Sequence, residues 1–281
     1  MAQLNTELDI AAFVNTVWAD AMLLARENNV MGGLVKVFTD MSGAAVRKNA
    51  KYGGATVNTI NEVDDLASQA FTPSVDQTLT PYEYGAQYFI TDLRIESDPF
   101  GVIANDAAND LGLALGVKVD TLLASAFSSF TGGTVGGTTT NFSWANFYAA
   151  LGRMRRALAP RPWVCVVSPE QYACLGTSIA PGVTVTNSPY IQDEFINQYF
   201  VSNVSGVDIF VDANIGTAAS GVHAGMFSPM ALGLDWRRAP RIEPQRDASR
   251  RGLELNMSAV LAYGVWRPQF GIDINTAGTL A

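Results

Sequence analysis

One stretch of this chain has almost nothing of its own to bury, and that limits the folds open to it more than any other feature. Between residues 46 and 95, "ATVNTINEVDDLASQAF" and "DQTLTPYEYGAQYFITDLRI" both read as extended backbone. The link between them, "TPSVDQ", is turn-like and carries Pro73. The first limb is mostly polar, with Glu62, Asp64 and Asp65 clustered in it. An isolated two-stranded ribbon is marginal in water. The arm must therefore either stay floppy or find its stabilising surface on another molecule.

A second constraint follows directly. "YFITDLRIESDPFGVIANDAANDLGLALGVKVDTLLASAF" is a short strand running into a single long helix. Asp98 suits the N-cap and Pro99 the first helical position. Ile103, Ala107, Leu111, Ala114, Leu115, Lys118, Leu122 and Ala126 continue one stripe. A helix from Pro99 to Phe130 would be about 45 Å long at 1.5 Å per residue, a rod that few compact enzymes of this size need. Gly112 and Gly116 lie one turn apart on it, each costing about 1 kcal/mol against alanine. They mark a close approach of another backbone, a bend, or a neutral pair.

Elsewhere, residues 7–30 show helical periodicity, and Leu34–Phe38 reads as a short strand after Gly32 and Gly33. "TGGTVGGTTTN" reads as a flexible loop; it lacks the Lys-Ser/Thr of a phosphate-binding loop. "FSWANFYAALGRMRRAL" is a helix capped by Ser143. "WVCVV" is a buried strand, and "PEQYACLG" a short helix. The C-terminal third reads as sheet, with alternation in Leu253, Leu255 and Met257.

Composition narrows the function classes. Of 281 residues, 48% are hydrophobic and only 16% charged, which argues against long disorder and for self-association. A formal net charge of −8 opposes direct gripping of nucleic-acid phosphates. Cys165 and Cys174 read as small core residues rather than a disulfide framework, in keeping with a reducing cytosol. The opening "MAQLNTELDI" lacks the features of a signal peptide. No run approaches the 18 apolar residues of a membrane span, so no membrane partner is expected.

Catalytic and metal-binding patterns do not emerge. The single histidine, His223, stands without a nucleophile pattern around it, and there is no GxSxG, HExxH or CxxC. No catalytic residue, cofactor or metal is expected. Asp106 and Asp110 share a helix face and read as solvated. The basic run "WRRAPRIEPQRDASRR" holds Arg237, Arg238, Arg241, Arg246, Arg250 and Arg251, opposed in sequence only by Glu243 and Asp247. It is a solvated surface, a phosphate contact, or a dock for carboxylates of a neighbouring copy. The last is preferred, because Glu62, Asp64 and Asp65 sit on an arm that needs a docking site and arginine pairs well with carboxylates across interfaces. Glu62, Asp64, Asp65, Arg237, Arg238 and Arg241 are thus the candidate inter-subunit contacts.

The order of elements resembles the major capsid protein of tailed bacteriophages, the HK97-like fold. An extended arm precedes the strand and spine helix quoted above. "GRMRRALAPRPWVCVVSPEQYACLG" resembles the opening of that family's axial domain, and the segment ending "YGVWRPQFGIDI" resembles its closing stretch. The resemblance implies an α+β fold with an N-terminal arm (1–45), a β-hairpin E-loop (46–95), a peripheral domain with the spine helix (96–162), an axial domain (163–225), peripheral return strands (226–262) and an axial C-terminal segment (263–281). It further implies a structural, non-enzymatic protein whose hexamers and pentamers close an icosahedral or prolate head around double-stranded DNA. Expected partners are further copies of itself, a separate scaffolding protein, a portal and a decoration protein, in a virion assembled in the host cytoplasm. Some members cross-link an arm lysine to an asparagine; Lys48, Lys51 and Asn256 are the counterparts here. An encapsulin shell is the same-fold alternative. A hydrolase using Ser168 or Cys174 is the different-class one.

Overall fold

The computed structural model describes residues 30–43, 45–60, 62, 65, 68–98, 102–177, 203–216 and 221–277. The helix expected over 7–30, together with Asp64 and Pro99, lies outside these residues. In chain order the strands are β1 (Lys36–Phe38), β2 (Arg47–Tyr52), β3 (Pro73–Leu79), β4 (Tyr82–Thr91), β5 (Thr134–Gly137), β6 (Trp163–Val167), β7 (Asn203–Val204), β8 (Val207–Val211), β9 (Val222–Phe227), β10 (Leu232–Asp247), β11 (Gly252–Val265) and β12 (Gly271–Thr276). The α-helices are α1 (Asp92–Glu96), α2 (Ile103–Ser125), α3 (Trp144–Arg156) and α4 (Pro169–Thr177).

Three sheets result. One is four-stranded in the order β1-β10-β11-β4, one six-stranded in the order β5-β12-β9-β6-β8-β7, and the third is the ribbon β2-β3. In the six-stranded sheet, β6 is the central clamp. Every residue of "WVCVV" is buried, because both faces of the strand are covered. Trp163, Cys165 and Val167 face a core built with Phe147, Leu151 and Met154 of α3 and with Leu175 of α4. Val164 and Val166 face the opposite core, with Val119, Leu123, Phe127 and Leu234. Both cysteines are buried thiols outside any disulfide, and desolvation pushes the Cys165 thiol up to about 12.

The spine helix α2 lies across the four-stranded sheet. Leu111 and Leu115 pack on Ile90, Leu255, Met257 and Ala259. At 23 residues the helix is shorter than expected, about 35 Å long. A 3-10 turn at Phe127–Ser129 takes over its C-terminal end. Asp98 is not its N-cap, which is Val102, although the Asp98 Oδ2 accepts from the first helical amide, Ile103, at 3.0 Å. The buried stripe also rotates relative to the expected one, through Val119, Asp120, Leu123 and Ala124. Among the described residues, and apart from the helix's own neighbouring backbone, nothing lies within 4 Å of a Cβ built on Gly112, so no other described segment of the subunit approaches it there. Contrary to the sequence reading, Ile103–Ser129 is long and apolar enough to cross a membrane by length and composition, with a mean hydropathy of 1.4. The apolarity has a different cause here: the helix buries one side against β11 and carries Asp120 into the core.

Two further expectations change. "TGGTVGGTTTN" is not a flexible loop throughout, because β5 within it pairs parallel with β12. Its glycines permit close approach: a Cβ on Gly132 would sit 2.4 Å from the Gly271 carbonyl oxygen, and Gly136 has φ +92. "TPSVDQ" is not the turn of the arm either. It lies largely in β3, antiparallel to β2, with Pro73 at the strand's first residue, where proline is tolerated. Of the second limb expected for the arm, residues 76–95, only the start lies in the ribbon as part of β3, and 82–91 pairs instead with β11 inside the four-stranded sheet.

Candidate assembly surface

The ribbon is rigid at its root and bare beyond it. At the root Leu79 is buried, its methyls packed over Gly233 and Gly264. Asn49 donates from Nδ2 to the Trp266 carbonyl at 2.5 Å. Arg47 donates from Nε to Asp235 Oδ2 at 2.8 Å and pairs with Asp40. This hydrogen bond to Asp235 raises the Arg47 pKa above its ordinary value. The Arg47 guanidinium also lies 4.3 Å from the Phe38 ring centre. Distally, Tyr52 stacks on Phe71 at 4.7 Å. The Gln69 side chain exchanges two hydrogen bonds with the Thr56 backbone, at 2.9 and 2.7 Å. These contacts close the ribbon without covering it. Val57 is 95% exposed and Phe71 75%. Glu62 and Asp65 stand in the same exposed segment.

The arginine run behaves differently from its sequence appearance. Arg237 is not an inter-subunit contact: it is buried in its own subunit, with Nη2 2.9 Å from Asp235 Oδ2. A register shift falls at this residue. Trp236 pairs with Leu261 and Arg238 with Val260, so two steps along β10 answer one along β11 and Arg237 is the residue left over in the bulge. A second shift follows between Arg238 and Arg241, across Pro240.

The other arginines find carboxylates that the linear sequence hides. Arg238 pairs with Glu83, because both residues lie opposite Val260 on its two neighbouring strands. Arg246 meets both oxygens of Asp92 at 2.8 Å, and this holds the Asp92 carboxyl below its usual range. Arg250 pairs with Glu254 at 3.2 Å and lies 4.2 Å from the Phe89 ring centre. Arg241 pairs with Glu243 at 3.3 Å, with both side chains half-exposed or more, and makes a long 3.5 Å hydrogen bond to the Ser258 hydroxyl. Exposed pairs of this kind contribute little stability. Arg238 and Arg241 remain on the surface, and Arg241 is the less engaged.

Residues that might have carried chemistry have structural duties. The buried Ser168 hydroxyl accepts from the Gln171 amide at 3.2 Å, while Gln171 Oε1 accepts from the Ser168 amide at 3.0 Å. This is a reciprocal cap that opens α4. Gln171 Nε2 also donates to the Val222 carbonyl and to Thr276 Oγ1, at 3.0 and 2.8 Å. "SPEQY" is thus a structural joint, and neither Ser168 nor buried Cys174 is presented as a nucleophile. His223 does meet a carboxylate, Asp273, at 2.9 Å between Nδ1 and Oδ1. Burial raises the Asp273 pKa, with the histidine contact opposing. Fifty residues separate the two, and only the β9-β12 pairing joins them. Asp110 accepts from the Tyr88 hydroxyl. Among the described residues no cluster of three or more His, Cys, Asp or Glu side chains could hold a metal ion.

Sequence reading missed one buried group outright. Asp120 of α2 has no solvent exposure. Its carboxylate accepts from the Val30 amide at 2.7 Å and the Met31 amide at 3.1 Å, tying the chain's entry to the spine helix. Desolvation, with a smaller contribution from buried Asp212, raises its pKa to about 6. Its place on the apolar stripe of α2 was the only available signal.

Comparisons with known proteins agree with this architecture. The family model of the phage capsid protein matches residues 74–274. No curated protein matches the sequence. Among solved structures, the capsid of cyanophage P-SCSP1u aligns with a TM-score of 0.68 at 16% identity, covering 90% of each chain. A Mycobacterium phage Che8 chain aligns with a TM-score of 0.67 at 16% identity, covering 88% of this chain and 91% of that one. The capsid of a native GTA particle aligns with a TM-score of 0.67 at 12% identity, covering 91% and 92%. None of these findings supports an enzyme-holding shell or a hydrolase. With a family match across most of its length and an HK97-like fold built around the spine helix, this chain belongs to the phage capsid protein family and is a structural subunit of a capsid.

Proposed function

We propose that copies of this chain form the hexamers and pentamers of an icosahedral or prolate head enclosing double-stranded DNA, with each ribbon lying on a neighbouring subunit. One observation carries the reading. The ribbon is locked at its root by Arg47, Asn49 and Leu79, yet leaves Val57 and Phe71 bare beyond it. A projecting element with exposed apolar side chains gains stability when a second surface covers them. Glu62 and Asp65, with Asp64, are its acidic contacts, and Arg238 and Arg241 are the docking cations on the neighbour. The net charge of −8 suits a container that must release its DNA.

The four-stranded sheet with α2 forms the peripheral part of the subunit and the six-stranded sheet the axial part. A scaffolding protein, a portal and a decoration protein complete the particle, which is assembled in the host cytoplasm.

Replacing residues 53–70 by a short turn tests the reading, since it keeps the buried root. The shortened subunit should stay folded by circular dichroism and fail to close shells by negative-stain microscopy. Closed particles of normal size from this variant would refute ribbon-dependent assembly.

A further inference from the structure

The C-terminal end of α3 presents a patch that neither the fold nor the ribbon uses. The helix ends in a Schellman-type turn. Ala157 donates to the Arg153 carbonyl at 2.9 Å, Leu158 to Arg155 at 3.1 Å and Ala159 to Met154 at 3.2 Å. The left-handed position of such a turn normally belongs to glycine. Here Leu158 occupies it with φ 53, and the leucine is 85% exposed. The backbone is therefore held in an unfavourable conformation that points an apolar side chain into solvent, and the subunit gains nothing from either. One and two turns back on the helix, Gly152 faces open space and Tyr148 is 51% exposed.

Charge marks the same patch. Arg155 and Arg156 are exposed and, among the described residues, form no ion pair, unlike Arg237, Arg238, Arg241, Arg246 and Arg250. Arg161 lies beside them in sequence, its guanidinium 4.8 Å from the Trp163 ring centre. An exposed tyrosine, two free arginines and a projecting leucine match the composition of interface centres.

We propose that Tyr148, Arg155, Arg156, Leu158 and Arg161 form a contact surface for a carboxylate-bearing face of a second copy of this chain. The inference rests on the capsid reading. Charge complementarity selects the occupant. The chain has net charge −8, and exposed Glu96, which the ribbon does not use, forms no ion pair among the described residues. Guanidinium groups bind carboxylates in two-pronged fashion. A nucleic-acid backbone would meet the arginines but offers no apolar counterpart to Leu158 and Tyr148.

Leu158→Gly is the cleanest test, because it suits the positive φ and removes only the projecting side chain. Arg155→Glu with Arg156→Glu tests the charge. Purified wild type and variants are compared by sedimentation velocity and thermal melting. Hydroxyl-radical footprinting then compares Tyr148 and Leu158 in free and assembled wild type. The expected result is an unchanged or raised melting temperature for Leu158→Gly and assembly requiring about tenfold more subunit, as loss of an interface anchor gives. Both wild-type side chains should be protected in particles. Wild-type shells with unprotected patch residues, and variants that assemble at wild-type concentration, overturn this inference alone. A wild type that never associates overturns it together with the capsid reading.

Discussion

Replacing Asp120 by asparagine should flatten the pH dependence of subunit stability between about pH 4 and pH 7. The Asp120 carboxyl is fully buried, and desolvation raises its pKa from the ordinary 3.8 to about 6. The folded state thus holds this proton to higher pH than the unfolded chain does. The group's favourable contribution is complete below about pH 3.8 and is lost as pH climbs through 6. At 1.36 kcal/mol per pH unit, the ionised carboxylate weakens the fold by about 3 kcal/mol above that window. Its hydrogen bonds from Val30 and Met31 are already included in that balance.

Asparagine removes the titration but keeps only one acceptor for two amides, at a cost of about 1 kcal/mol. The variant should therefore be the less stable protein near pH 4.5 and the more stable one at pH 8, so that the two curves cross. Urea unfolding of unassembled subunit at half-unit pH steps measures this directly. Subtracting variant from wild type cancels the other groups that titrate in the same range. Parallel curves, or a wild type whose relative stability grows as the pH is raised, would refute the argument.

Four further outcomes are expected. Arg237→Ala should destabilise the subunit by about 1–3 kcal/mol in chemical denaturation, because it removes one of the two cations on buried Asp235 and leaves Arg47 as the other, whereas Arg238→Ala should shift the same curve by less than about 1 kcal/mol. Reversing Arg238 and Arg241 together to Glu should leave the subunit folded but lower particle yield on sucrose gradients, with added salt moderating the defect; unchanged yield would return both residues to plain solvated surface. Gln171→Ala should cost about 2–4 kcal/mol, since it breaks the cap on α4 and two buried hydrogen bonds at once, and a neutral result by thermal melt would disprove the joint. Leu79→Ala should cost about 2–5 kcal/mol and loosen the ribbon root, read as faster amide exchange over 47–52.

Local pattern made several elements legible in the sequence. The continuous apolar run of "WVCVV" could only be a strand covered on both faces. Ser143 caps α3 as its type predicts, accepting from the Asn146 amide at 3.4 Å. Asp98 marked the start of the spine helix even though the first residue differs. A polar ribbon without a core of its own pointed outward from the subunit, and its exposed distal half is what that composition demands.

Pairings between distant strands were not legible. Reading 82–91 as arm failed because β4 takes its partners 161 to 179 residues later in the chain, from Gly252 opposite Thr91 to Leu261 opposite Tyr82 in β11. The arginine run looked unbalanced because Glu83 and Asp92 reach it only across the sheet. Arg237 looked like its neighbours, yet it sits at a bulge in β10 and is buried beside Asp235. Amino-acid types dictate local conformation and which faces avoid water, because those depend on residues a few positions apart. Register, bulges and the pairing of charges across strands depend on which segments the collapsed chain brings together, so tertiary structure alone decided where each carboxylate and guanidinium would meet.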